Sequence, residues 1–161
     1  MKHRLLLVLG ILLLLGMFVY VQAGDETEKE NGVTYYNYEE GLKKAKEDSV
    51  HVVVFFETTW CGWCKKMDKT TLVDEKVVDQ LKNHFVAVKV DGDKRRELTK
   101  EYGVRGYPST WFLKADGSKI APIQGYWPAE NFYWLLKYIS EDAYEKEQFQ
   151  PWVKRQQGDK G

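Results

Sequence analysis

The chain has 161 residues, 43% of them hydrophobic and 14% aromatic, which suits one globular domain once targeting sequence is set aside. Lys plus Arg and Asp plus Glu balance at 24 each, so the chain lacks the basic footprint of a nucleic-acid binder and has no net charge to draw it to anionic lipid. Its two cysteines, Cys61 and Cys64, leave none for a separate structural disulfide framework.

Residues 1–23 read as a targeting segment. Lys2, His3 and Arg4 precede an uncharged apolar run over residues 5–21, and Val21-Gln22-Ala23 supplies the small residues of a cleavage site after Ala23. The run borders on the length of a short membrane span, so the alternatives are a cleaved signal peptide and an uncleaved N-terminal anchor. Both predict an exported protein at the periplasmic or extracellular face. Residues 24–32 are polar, acidic and flanked by glycines, and are expected to form a linker.

The predicted domain covers residues 33–144. Residues 33–36 read as a short edge strand. Tyr38, Leu42 and Ala45 recur at helical spacing, predicting a helix over residues 38–47 with Asn37 as its N-cap. Residues 51–56 form a continuous run rich in Val and Phe, the mark of a strand buried on both faces. Residues 61–83 read as mostly helical with a break near Asp74, and residues 85–90 as a second β-rich run. A charged helix over residues 94–102 stops at Gly103. Residues 110–113, Asp116-Gly117 and residues 119–123 carry a hairpin signature. A last helix spans residues 129–144, with Phe132, Leu135, Leu136 and Ile139 facing inward. Residues 145–161 read as a polar C-terminal extension around Phe149, Pro151 and Trp152. The order β-α-β-α-β-α-β-β-α predicts an α/β fold, a mixed central β-sheet with helices on both faces.

Residues 55–66 read Phe-Phe-Glu-Thr-Thr-Trp-Cys-Gly-Trp-Cys-Lys-Lys. A buried strand runs into a turn, and Cys61 stands where the next helix begins. Unpartnered backbone N–H groups and the positive end of the helix dipole stabilise a thiolate there. The Cys61 thiol is expected to fall from ~8.5 to about 7. Cys64 lies on the same helix face, within reach of Cys61. Cys61 is therefore expected to be the exposed attacking nucleophile and Cys64 the shielded resolving thiol. Two other readings of the pair exist. Half of a zinc site needs two further ligands, and only His51 and His84 remain in the mature chain, each in a β-type run. A purely structural disulfide would close too small a loop to stabilise much.

Trp60-Cys61-Gly62-Trp63-Cys64-Lys65 resembles the active site of thioredoxin, with Trp63 where thioredoxin has Pro. Gly103-Val104-Arg105-Gly106-Tyr107-Pro108-Ser109 is similar to the thioredoxin segment around its cis-proline. Asp91, Gly117 and Gly125 also fall where thioredoxin has Asp and Gly. The chain thus resembles the thioredoxin superfamily over residues 33–144. The export signal, the Lys65-Lys66-Met67-Asp68 continuation and Gly125-Tyr126 are most similar to extracytoplasmic, SoxW-type thioredoxins and to the C-terminal domain of transmembrane thiol-disulfide interchange proteins.

The resemblance implies a thioredoxin fold with Pro108 cis beside the sulfurs and the Tyr107 backbone pairing with an extended substrate strand. Trp60, Gly62, Trp63, Tyr107, Pro108 and Tyr126 are the expected substrate-binding residues, with Trp127 as a further rim candidate. For Tyr126 and Trp127, core packing is an equal alternative. The sequence departs from the family at one point. Thioredoxin buries an Asp six residues before its first Cys, paired with a Lys on the neighbouring strand. Those positions are Phe55 and Ala87 here, so both charges are gone together, as the cost of a lone buried charge requires.

A proton acceptor for Cys64 must then lie elsewhere. Asp68, four residues after Cys64, is the first candidate, because it shares a helix face with both cysteines and the interchange-protein domain carries an acid at this offset. Glu57, at the end of the buried strand, is the second. The expected function is extracytoplasmic reduction of partner protein disulfides by a monomer. No cofactor beyond the Cys61–Cys64 disulfide and no metal are expected. The expected partners are disulfide-containing client proteins and a membrane electron donor, since soluble reductants are scarce outside the cytoplasm. The Gly62-Trp63 pair between the cysteines lacks the His of more oxidising relatives, which predicts a potential of roughly −200 to −270 mV. Alternatives are a disulfide oxidase or isomerase of the same fold, and a module that binds cysteine-bearing clients without turnover.

Overall fold

After His51, the run over residues 51–56 is written in period two on an apolar background. Val52, Val54 and Phe56 pack into one hydrophobic cluster, and Val53 and Phe55 into another. This splits one strand between two cores, as a strand covered on both faces requires. The computed structural model describes residues 27–158. The targeting segment, its cleavage point and the first residues of the expected linker lie outside them.

The strands are β1 (Glu28–Glu30), β2 (Val33–Tyr36), β3 (His51–Glu57), β4 (Phe85–Asp91), β5 (Ser109–Leu113) and β6 (Lys119–Gln124). They form one sheet in the order β1-β2-β4-β3-β5-β6. β4 runs parallel to both β2 and β3, while β5 is antiparallel to β3 and β6 to β5. The helices are α1 (Tyr38–Asp48), α2 (Gly62–Thr70), α3 (Glu75–His84), α4 (Arg96–Glu101), α5 (Ala129–Ser140) and α6 (Phe149–Gly158), with a 3-10 turn at Ala143–Glu145. Met67 of α2, Val77 and Leu81 of α3, Phe132 and Leu136 of α5 and Trp152 of α6 cover the Val53 and Phe55 side. Ala45 of α1 and Leu98 of α4 cover the other.

Local chemistry sets the helix ends. The Asn37 side chain accepts from Glu40 N at 3.0 Å and donates back to the Glu40 carboxylate, a reciprocal cap that starts α1. Asp74 caps α3 by accepting from Lys76 N and Val77 N, which explains the break between α2 and α3. α4 begins later than its charge pattern suggests, because Lys94 N and Arg95 N donate to Asp91 O in a turn. α5 stops at Ser140, ahead of a left-handed Asp142.

Two segments differ from the sequence reading. Glu28–Glu30, assigned to the linker, pairs antiparallel with β2, so β2 is an inner strand and β1 the edge. The polar tail forms α6: Phe149, Trp152 and Val153 stand at helical spacing, and Trp152, 3% exposed, packs edge-on against Trp134 and Tyr138.

Candidate active site

β3, an inner strand, ends at Glu57, and Thr58, Thr59 and Trp60 turn the chain into α2. Cys61 N donates to Thr58 O at 3.1 Å, closing that turn. Cys61 is the N-cap of α2, and its sulfur accepts from Cys64 N at 3.0 Å. The two cysteines form a disulfide, with Cα atoms 5.3 Å apart. Sequence position predicts an exposed Cys61 and a shielded Cys64, but in the disulfide both are 4% exposed. The Cys61 sulfur is turned inward by its bond to Cys64 and by the Cys64 amide.

Cys64 opens on a cleft of about 180 Å³ lined by Glu57, Thr58, Thr59, Lys65, Asp68 and Asp91. A second void of about 10 Å³ touches Cys64, Glu57, Asp68 and Pro108. The structure thus brings both candidate acids to Cys64. Thr58 Oγ1 is buried there without a hydrogen-bond partner. Burial pushes the Glu57 carboxyl up to about 7, against the attraction of Lys89 and with the repulsion of Asp68, Glu28 and Glu30. Burial also raises the Asp68 carboxyl, again opposed by Lys89 and aided by Glu30 and Glu28.

Lys89 is the cation that acts on both carboxyls, and no sequence motif marks it. Phe55 and Ala87 sit in the core, 3% and 1% exposed, but they do not face each other: Ala87 is the register partner of Val53, and Lys89 is the partner of Phe55. One pleat repeat further on, the same face carries Glu57 on β3 and Lys89 on β4, with Nζ and Oε1 4.0 Å apart. An acid and a lysine therefore do meet across these neighbouring strands, against the expectation that both charges are gone. Lys89 Nζ lies 2.8 Å from Glu30 Oε2 on β1 and 4.5 Å from the Tyr35 ring centroid. A lone Lys in an otherwise apolar strand is the signal that could have flagged it, because a buried ammonium needs a partner.

Two aromatic pairs flank the disulfide. Trp60, 67% exposed, stands edge-on to Tyr107 with centroids 5.8 Å apart, and its indole N–H donates to Asp93 at 2.8 Å. Trp63, 57% exposed, lies 5.8 Å from Tyr126, and Lys66 Nζ sits over both rings at 4.8 and 4.7 Å. The Tyr107–Pro108 peptide bond is cis. Gly62 faces open space, and Tyr107 lies so close over Gly92 that a Cβ there would fall 2.1 Å from its hydroxyl oxygen. Trp127 is not part of this rim. Its carbonyl accepts from the buried Thr71 hydroxyl at 2.6 Å and its ring faces Phe149, which is core packing. His51 lies at the opposite end of β3, with Nε2 3.2 Å from Asp142. His84 ends α3 next to Phe85, the register partner of His51, so neither histidine approaches the cysteines.

The family described as thioredoxin-like domain matches residues 38–140. A protein disulfide-isomerase of Drosophila melanogaster is 29% identical over 126 residues, 78% of this chain and 25% of that protein. This chain therefore spans about a quarter of that relative's length. The disulfide bond reductase DsbH of Chlamydia pneumoniae is 30% identical over 113 residues, 63% of this chain and 68% of the relative. Among solved structures, a thioredoxin from Thermus thermophilus superposes with a TM-score of 0.62 at 29% identity, covering 66% of this chain and 86% of the other.

Proposed function

From the premise that this chain belongs to the thioredoxin-like domain family, we propose that it reduces disulfides in partner proteins through the Cys61/Cys64 dithiol. The observation that carries this reading is the disulfide itself, at the start of α2 with Cys64 lining a cleft beside Glu57, Asp68 and Asp91. Two electrons pass in two steps. The Cys61 thiolate attacks one sulfur of a client disulfide, forming a mixed disulfide and releasing the other client sulfur as a thiolate, which takes up a proton. Cys64 then gives its proton to a neighbouring acceptor and attacks the Cys61 sulfur. The Cys61–client bond breaks, the second client thiol leaves, and the Cys61–Cys64 disulfide forms.

Glu57 and Asp68 are the proposed acceptors. Burial raises both carboxyls, Glu57 to about 7, and a carboxylate so raised takes a proton from a thiol at less free-energy cost than an ordinary one. Trp60, Tyr107, Trp63 and Tyr126 are proposed to grip the client on either side of the disulfide, with Gly62 leaving the approach open and the Tyr107–Pro108 backbone pairing with the client strand. The proposed setting is outside the cytoplasm, on the strength of residues 1–23. A membrane electron donor is then needed to reduce Cys61–Cys64 after each turnover.

Equilibration with glutathione tests the direction of electron flow. A potential of roughly −200 to −270 mV is expected, and a value near −120 mV would make the protein an oxidase. Insulin reduction in the presence of a chemical reductant separates an enzyme from a binding module, which would not turn over.

A further inference from the structure

Glu57 is half-buried, yet its cation is only loosely engaged. Lys89 is 2.8 Å from Glu30 and 4.0 Å from Glu57, so it makes a charge-assisted hydrogen bond to the first carboxylate and only a longer-range contact to the second. The Lys89 side chain is 14% exposed, which leaves its ammonium few partners besides these and the Tyr35 ring beneath it. Glu30 stands on β1, the three-residue edge strand, and the segment before β1 leads toward the chain's N-terminus.

We propose that Glu30 is a positioning residue of the redox site: by holding Lys89 it keeps that cation away from Glu57, and so makes β1 part of the apparatus that deprotonates Cys64. The proposal rests on the reading of Glu57 as a proton acceptor. The groups facing Glu57 are Lys89 and, in register, Asp91 from β4, Asp68 from α2, Glu28 and Glu30 from β1, and Tyr35 from β2, with Cys64 and Lys65 on the cleft. Four of the surrounding groups are carboxylates and Lys89 is the cation closest to Glu57. Where that cation is held therefore governs how readily Glu57 keeps a proton. With Gln in place of Glu30, Lys89 is free to close on Glu57 as an ordinary ion pair, which would favour the carboxylate. The carboxylate would then ionise at lower pH and be a weaker acceptor for the Cys64 proton.

The test is a ¹³C NMR titration of the Glu57 side-chain carboxyl in the oxidised full chain, run beside the pH profile of Cys64 resolving the Cys61–client mixed disulfide, a step that follows Cys61 ionisation. In Glu30→Gln the Glu57 midpoint should fall by about one pH unit, and the acid limb of the rate profile should move down with it. Glu28→Gln, which removes a carboxylate on the same strand without a bond to Lys89, should move both by less than half as much. In a Lys89→Met background the effect of Glu30→Gln should shrink by at least half. Equal shifts for Glu28→Gln and Glu30→Gln, or an undiminished Glu30→Gln shift without Lys89, overturn the proposal while leaving Glu57 as acceptor. An acid limb of that resolution step that stays at the same pH in Glu57→Gln overturns Glu57 as acceptor, and the role of Glu30 with it.

Discussion

Glu57→Gln should make the oxidised protein more stable at alkaline pH and leave it unchanged at acid pH. The Glu57 carboxyl is raised from its ordinary 4.5 to about 7 in the fold. At 1.36 kcal/mol per pH unit, its ionisation costs the native state about 3 kcal/mol. The sign follows from which state loses its proton first. The unfolded chain releases the Glu57 proton near 4.5 and the folded chain near 7, so stability falls as pH rises through that window and levels off above it. Gln is close in shape to the neutral acid and cannot ionise. The 28% exposure of the side chain lets water relax part of the cost, so the expected gain is about 2–3 kcal/mol at pH 8.5. Urea melts of both oxidised proteins should coincide at pH 4 and separate at pH 8.5, with Glu57→Gln the more stable. A gap that is the same at both pH values, or a less stable variant at pH 8.5, would refute the claim that burial holds a proton on Glu57.

Three further outcomes are expected. Gly41→Ala brings a Cβ to 2.2 Å from Val88 Cγ2 at the α1–β4 contact; overpacking of about 1–3 kcal/mol should outweigh a helix-propensity gain of about 1 kcal/mol, lowering the thermal midpoint. Trp152→Ala empties a site in the main core and should cost about 3–5 kcal/mol in denaturant unfolding; a cost under about 0.5 kcal/mol would mean α6 is a detachable tail. Gly92→Ala should push the Tyr107 ring away from Trp60. It should raise KM for peptide disulfides several-fold while leaving the glutathione equilibrium unchanged, and a shifted equilibrium would place Tyr107 in the redox chemistry instead.

The features legible in the sequence are those carried by short-range pattern. The Val and Phe run of β3, the hairpin turn at Asp116-Gly117 and the Cys61-Gly62-Trp63-Cys64 motif each declare themselves within a few residues. Asp68 and Glu57 were also within reach, because helix spacing and strand parity point them toward Cys64. Lys89 and Glu30 were not. They lie 59 residues apart in sequence, and their meeting depends on a β1–β2–β4 register that local pattern does not specify. The same limit hid the contact between Glu57 and Lys89. Phe55 and Ala87 look like a lost charge pair until the strands are laid side by side and Lys89 stands opposite Phe55. α6 was concealed by composition, since its few inward-facing apolar residues are diluted by polar neighbours in the tail.

The central claim is that Cys61 attacks and Cys64 resolves. Acid-quenched mass spectrometry of Cys64→Ser and Cys61→Ser after mixing with a disulfide-bonded peptide tests it directly. The account predicts that Cys64→Ser accumulates a mixed disulfide on Cys61 in near-stoichiometric yield, and that Cys61→Ser forms little or none on the same timescale. An adduct on Cys64 that forms as fast as the one on Cys61, or no adduct in either variant, would contradict it.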